Sequence, residues 1–317
     1  MTAVDLALAC VFDAAIGDPR AWPHPVRLMG RAVVWYEGRA RMVCRGPRGL
    51  RWAGSVLAIG LPLLSGAAAW LLILLANEVH GWIGRAVEVG LAAATLAWRD
   101  LMDHTGAVSK ALGAGDLREA RQAVARIVGR DADALTEGEV VRATVESMAE
   151  SASDGVIAPF LFLLLGGAPL ALAFKAINTL DSMVGHRNER YRDFGWASAR
   201  LDDVANWVPG RITSVLFVLT AWPASGRFMM ARRAWGALWR DGMKHPSPNS
   251  GRPEAAMAGA LGVQLGGINY YDGIPNDRPL LGDAGDPLAP HHILRAQAVV
   301  TTAYVLMIAL SVTLLWP

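Results

Sequence analysis

Residues 52–76, WAGSVLAIGLPLLSGAAAWLLILLA, carry no ionisable side chain over 25 positions. As a helix rising about 1.5 Å per residue, this stretch exceeds the roughly 30 Å hydrocarbon core of a bilayer. Residues 296–316, AQAVVTTAYVLMIALSVTLLW, repeat the pattern near the C-terminus. Soluble core helices rarely run uncharged for so long, so the chain is expected to be an integral membrane protein. Its charged fraction of 18% lies below the roughly 25% of soluble domains.

The rest of the composition mainly excludes. A net charge of +2 with no block of like charge gives no nucleic-acid arm. Cys10 and Cys44 offer neither a disulfide framework nor metal-ligand spacing. The N-terminus lacks a basic n-region, and Asp5 and Asp13 interrupt its apolar run. It reads as a retained first helix with both carboxylates facing protein. No P-loop and no strand-borne G-x-G-x-x-G is present.

The expected fold class is all-α: a polytopic membrane helical bundle, 1–317, with broken or re-entrant segments and cytoplasmic helical loops. Full spans are expected near 1–17, 52–76, 82–98 and 296–316. Residues 20–51 read as a basic loop, with eight arginines against Glu37, which places that face in the cytoplasm of a cell inner membrane. Arg85 and Glu88, spaced i, i+3, are expected to pair. Residues 99–154 and 223–292 read as polar, partly helical insertions. Thr136 and Glu139 form a capping-box signature. The run 156–177 is apolar but interrupted by Gly166-Gly167-Ala168-Pro169, so a broken or hairpin element is expected there. The short run 212–222 poses the same problem. Sheets should be minor or absent.

Two stretches concentrate chemistry. Residues 176–206 bring amides, carboxylates and arginines directly after a membrane segment: Asn178, Asp181, Arg187, Asn188, Arg190, Arg200, Asp202 and Asp203, interleaved with Tyr191, Phe194 and Trp196. Arginine suits bidentate phosphate recognition, and paired acids suit Mg²⁺. In the second stretch Glu146, Glu150 and Asp154 recur every fourth residue, stacking like charges on one helix face. Such stacking costs a few tenths of a kcal/mol, which a cation would offset. Lys175 sits near hydrocarbon, where an ammonium must snorkel or pair. Smaller clusters hold His24 and Arg27, then Asn249 and Ser250, and Gln264.

Several motifs are similar to those of a known family: Gly17-Asp18-Pro19 with His24-Pro25-Val26-Arg27; Val145-Glu146-Ser147 through Ala158-Pro159; Asn178 to Met183; Arg187 to Tyr191; Gly195 to Asp203; and Gln264 to Gly267 followed by Asn269-Tyr270-Tyr271. Together they resemble the adenosylcobinamide-phosphate synthases, membrane proteins of late cobalamin biosynthesis. A more distant resemblance to membrane proteins linked to beta-lactamase regulation keeps open a non-catalytic signalling or transport component that binds a corrinoid or another large anion.

The first resemblance implies ATP-dependent amide ligation between adenosylcobyric acid and (R)-1-amino-2-propanol or its O-phosphate, with Mg²⁺ as cofactor and ATP as co-substrate. The expected catalytic residues are Asp181, Glu150, Lys175 and Asn178. Substrate and phosphate binding is expected from Arg187, Asn188, Arg190, Arg200, Tyr191, Trp196, His24, Arg27, Asn249, Ser250 and Gln264. Glu146, Glu150, Asp154, Asp181, Asp202 and Asp203 are the expected metal ligands, converging at the cytoplasmic mouth of one polar cavity. Expected partners are the two substrates and membrane lipid, with no nucleic acid; the resemblance leaves room for a homo-oligomer or for association with late corrinoid-pathway enzymes.

Overall fold

The protein is described by a computed structural model covering residues 1–18, 24–186 and 188–315. Pro19 and Arg20, which belong to the first motif and the basic stretch, lie outside the described residues. The chain divides into two units: residues 1–97, 158–206 and 311–317 in the first, and 98–157 with 207–310 in the second. Thirteen described α-helices and one two-stranded sheet make up the fold.

The first unit contains α1 (Ala3–Ile16), α2 (Pro25–Val43), α3 (Gly46–Val79), α4 (Gly81–Ala93), α8 (Ala158–Val184) and α9 (Trp196–Ala205). Thr2 and Asp5 form a capping box that starts α1. Asp5 and Asp13 are both buried, as expected for carboxylates that face protein. Asp5 takes two hydrogen bonds from Arg85 of α4, the shorter 2.8 Å, while Glu88 lies 3.7 Å from the N-terminal ammonium. The expected Arg85–Glu88 pair is therefore replaced by Asp5 of α1 for Arg85 and by the N-terminal ammonium for Glu88, so that each charge finds a partner outside α4.

Residues 25–43 are helical, a correction to the loop expected there. Pro25 occupies the first helical turn, where its missing N–H costs nothing. A narrow stripe of Met29, Val33, Glu37 and Ala40 is buried, and the arginines occupy the other faces. Val33 and Ala40 join Leu57 of α3, Leu180 and Val184 of α8, and Phe194 in one core cluster. Within α8, Gly166 and Gly167 leave helical geometry, Gly167 at φ 65°. The expected break is present at these two residues, and only glycine enters the positive-φ region without a Cβ penalty.

The second unit holds α5 (Trp98–Gly113), α6 (Leu117–Val124), α7 (Glu137–Ala152), α10 (Trp207–Ser225), α11 (Phe228–Asp241) and α12 (Gly251–Leu261). It also holds the strands β1 (Leu265–Tyr271) and β2 (Ile274–Leu281), and most of α13 (His291–Leu315). The Thr136–Glu139 capping box starts α7 as expected. A π-helical turn, Ser153–Ile157, follows α7. β1 and β2 pair antiparallel with a bulge between Leu265 and Gly267, so the only described sheet is a hairpin.

Three described helical runs are long and apolar enough to cross a membrane: Gly46–Val79, Glu137–Val184 and His291–Thr313. A fourth span arises if Trp196–Ala205 and Trp207–Ser225, bent by 46° at their junction, count as one. The full spans expected at 1–17 and 82–98 are corrected: α1 and α4 have 14 and 13 residues, about 20 Å each, which falls short of the hydrocarbon core. The run 212–222 is lengthened by its flanks into the 19-residue α10.

Candidate functional site

Within the second unit, α7, the loop after α6, the loop before α12 and the hairpin enclose a polar cavity of about 140 Å³. Glu146 and Glu150 reach it from α7, Arg130 from the loop after α6, and His245 from the loop after α11. Glu254 lines it from α12, and Asn269, Tyr271 and Arg278 from the hairpin.

Glu146 is held from two sides. Its Oε2 is ion-paired to Arg130, with both side chains almost fully buried. Its Oε1 accepts the Gly266 N–H at 2.8 Å. The bulge explains that second contact: Gly266 and Gly267 have φ of 89° and 92°, which turns the Gly266 amide out of the ladder toward α7. Arg130 also donates to Asn269 Oδ1. Behind this layer Arg142 donates to the Gly266 carbonyl, to the Ile268 carbonyl at 2.8 Å and to Asn269 Oδ1 at 3.0 Å, tying β1 to α7. Charge-assisted bonds of this kind are the stronger class of hydrogen bond.

Glu150 is more exposed and accepts from Ser250 Oγ at 3.0 Å. The Ser247 amide lies 3.0 Å from His245 Nδ1, while the other ring nitrogen, Nε2, faces the floor of the cavity. That atom lies 3.2 Å from Arg278 Nη1 and 4.0 Å from Glu254 Oε1. Burial first, then the Arg278 guanidinium, lowers His245 to about 4, so the ring is neutral near pH 7. Burial first, then the charges of Glu150 and Glu146, raises Glu254 well above the usual carboxylate range. The cavity thus combines two arginines, two carboxylate side chains at its wall and a neutral histidine beside Glu254 at its floor.

The two floor groups act oppositely on stability. Below pH 6.5 the unfolded His245 takes up a proton that the folded ring refuses until about pH 4, so its contribution is lost as pH falls through that window. Glu254 keeps a proton that the unfolded chain releases, so its contribution is lost as pH rises above the ordinary glutamate value. We predict that Glu254→Gln exposes the histidine slope, losing about 2 kcal/mol between pH 7 and pH 5. His245→Gln should show the opposite sign, gaining stability on acidification. Thermal unfolding of both variants in detergent checks this; parallel pH profiles would refute it.

In the first unit a second polar group forms where α8 and α9 meet. Asp202 is buried and accepts from Asn206 Nδ2 at 3.0 and 3.1 Å, with Asn178, Asp181 and Asp203 beside it. The six expected metal ligands are therefore divided between the units, three in each. Among the described residues, no set of three or more His, Cys, Asp or Glu side chains is gathered around a point that a bare metal ion fills.

The other expected binding residues are mostly occupied. Arg190 and Arg41 both grip Glu37, at 3.0 and 2.8 Å, and both stack on Tyr191. Burial works to raise Glu37, but these hydrogen bonds outweigh it and hold the carboxyl below its usual range. Arg200 pairs with Asp203, His24 with Asp18, and Asn188 accepts the Tyr191 amide. Trp196 is exposed, with Arg51 over its ring. Phe194, interleaved in the same stretch, is fully buried against α2 and α3 and cannot present its ring to a ligand. Asn249 is buried just before α12. Gln264 points to the Gly282 carbonyl and does not line the cavity. Lys175 lies half-buried on α8, Arg27 in the first turn of α2, and Asp154 in the π-turn. Arg187 lies outside the described residues.

Arg130, His245, Glu254 and Arg278 were not singled out from sequence. None of the four lies in a quoted motif, whereas the cavity residues Glu146, Ser147, Glu150, Gly266, Asn269 and Tyr271 do.

Residues 6–300 match the family described as CobD/Cbib protein. The chain is 44% identical over 316 residues to "Cobalamin biosynthesis protein CobD" of Klebsiella pneumoniae, covering 98% of this chain and 97% of that protein. It is 42% identical to "Cobalamin biosynthesis protein CbiB" of Salmonella typhi, with 98% and 97% covered. To the CobD of Geobacter metallireducens it is 50% identical over 281 residues, with 88% and 86% covered. No solved structure matches. An almost complete family match, near-full-length relatives and a helical membrane architecture agree: the chain belongs to the CobD/CbiB family of cobalamin biosynthesis.

Proposed function

We propose that the protein joins the free propionate carboxylate of adenosylcobyric acid to the amine of (R)-1-amino-2-propanol, or of its O-phosphate, using ATP. The observation that carries this reading is the cavity of the second unit, where Arg130 and Arg278 oppose Glu146, Glu150 and Glu254. A carboxylate is a poor acyl donor. Transfer of the γ-phosphoryl group to its oxygen breaks the bond to ADP and forms an acyl phosphate. Amine attack on that carbonyl carbon forms the C–N bond, and inorganic phosphate leaves with the C–O electron pair.

Arg278 and Arg130 are suited to hold phosphoryl oxygens as negative charge moves onto the leaving phosphate. Glu150, the most accessible of the acids, is suited to take the proton that the amine must lose. Glu254, whose carboxyl burial pushes upward, lines the cavity floor. The donor set fits Mg²⁺ only in part: Glu150 would hold it together with phosphate oxygens, which is the usual one-or-two-carboxylate arrangement, while Glu146 has both oxygens engaged. When bound, the ion would neutralise phosphate charge. The cavity has room for a phosphoryl group or a short aminoalcohol, so the corrin ring would stay outside it.

The test is purified protein in detergent with adenosylcobyric acid, aminopropanol phosphate, ATP and Mg²⁺. Amide product and ADP should form in equal amounts, and Glu150→Ala should lower kcat by roughly 10²-fold or more. Corrinoid binding without ATP consumption would replace this reading with that of a non-catalytic corrinoid binder.

A further inference from the structure

Helix α11 has a composition that neither the core nor the cavity requires. Phe228, Trp235, Trp239 and Met243 are 67%, 48%, 68% and 79% exposed. Their spacing places them along one side of the helix and the turn that follows it. Arg232 and Arg233 lie among them, also exposed. Bulky apolar side chains left open on a water-facing surface are unfavourable, and arginines facing hydrocarbon are more so. A headgroup layer accommodates both. With 14 residues, about 21 Å, the helix cannot cross a bilayer. Aromatic and basic residues on a short helix are the composition of an element lying in the interface plane.

A second observation sets the depth of this helix and supplies a ligand site. Beside the start of α11 a cavity of about 160 Å³ is bounded by Ser225 and Arg227, by Met230, by the end of α12 and by Arg295 and Val299 of α13. Among the described residues neither Arg227 nor Arg295 forms an ion pair with an acid. The nearest acid on α11, Asp241 at its far end, is already bound by Arg240 and Lys244. Arg295 is one turn into a membrane-spanning helix, and Thr220 of α10 donates to the Val299 carbonyl at 3.3 Å. The cavity therefore lies at the end of a span, where lipid phosphates lie.

We infer that Arg227 and Arg295 form a binding site for the phosphodiester of an anionic phospholipid, and that α11 lies in the bilayer interface with Trp235 and Trp239 inserted at headgroup depth. Two unopposed guanidiniums over a small polar pocket match a phosphodiester. The apolar wall of Ala260, Leu261 and Val299 suits the glycerol and upper acyl chain.

Native mass spectrometry of the full chain in detergent, titrated with phosphatidylglycerol or with phosphatidylcholine of the same chains, tests the site. Phosphatidylglycerol should be retained preferentially, and Arg227→Gln with Arg295→Gln should weaken it by roughly thirtyfold. The corresponding double lysine variant should keep most of the preference. Inorganic phosphate at millimolar concentration should not displace the lipid; displacement would mean that the pocket takes free phosphate and would overturn the lipid assignment. Equal binding of both lipids, or of phosphatidylglycerol by both double variants, would also overturn it. For the helix, a nitroxide label at Trp239→Cys in a Cys10→Ala, Cys44→Ala background should show oxygen collisions of interfacial depth in vesicles containing phosphatidylglycerol, and a fully aqueous signal would refute the docking.

Discussion

Replacing Arg130 with alanine is expected to reduce kcat/KM for amide formation by at least about 10²-fold and to destabilise the protein by about 3–5 kcal/mol. Both effects follow from one geometry. Arg130 is nearly fully buried and neutralises Glu146, which α7 places inside the cavity wall. Removing the guanidinium strands a carboxylate that retains only the Gly266 amide, and it also frees Asn269 from one of its two arginine donors. The structural and chemical parts are separable. Adding Glu146→Gln removes the stranded charge, so the double variant should recover much of the thermal midpoint measured in detergent. It should recover little activity if Arg130 holds phosphoryl oxygens as proposed, because that cation is still missing. Activity of Arg130→Ala within about threefold of wild type would show that the cavity is structural and would move the search for the reaction centre to the Asp202 group.

The second large effect is expected in the first unit. Gly54→Val should cost about 3 kcal/mol or more and leave little monodisperse protein after detergent extraction. A Cβ at Gly54 would collide with the Phe194 carbonyl, a backbone atom that cannot swing aside. The contact seats α3 against the segment carrying Tyr191 and Phe194, and that segment in turn packs on Val184 through Gly195. Gly60 is the control on the same helix: nothing lies within 4 Å of its Cβ position, so Gly60→Val should be close to neutral. Equal behaviour of the two variants would contradict the close approach.

These two residues also mark how far a sequence reading extends. Gly54 sits in the long apolar run that identifies a membrane helix, yet nothing local distinguishes it from Gly60; the difference is a backbone from another part of the chain. Arg130 lies in a stretch with no recognisable motif, and its partner Glu146 read as one of three stacked acids awaiting a cation. The stacking is real on α7, but the offsetting charge is a guanidinium from the preceding loop. The arginine-rich stretch after α8 reads as a phosphate cradle, and its Arg190 also reaches Glu37 of α2, a helix where the sequence suggests a loop.

What the sequence by itself determined are the properties written within one or two helical turns. They include the uncharged runs that require a bilayer, the capping box at Thr136, the backbone break at Gly166 and Gly167, and the burial of Asp5 and Asp13. Each depends on near-neighbour sterics, on hydrogen bonds to the adjacent turn, or on total transfer energy along one segment. Only the tertiary structure decided which charges meet. Asp5 chose Arg85, Glu37 added Arg190 to its same-helix partner Arg41, and Arg130, His245, Glu254 and Arg278 became one cavity. A buried charge must find a partner or lose its charge, but the partner is selected by which distant segments pack together, and helical periodicity carries no record of that choice.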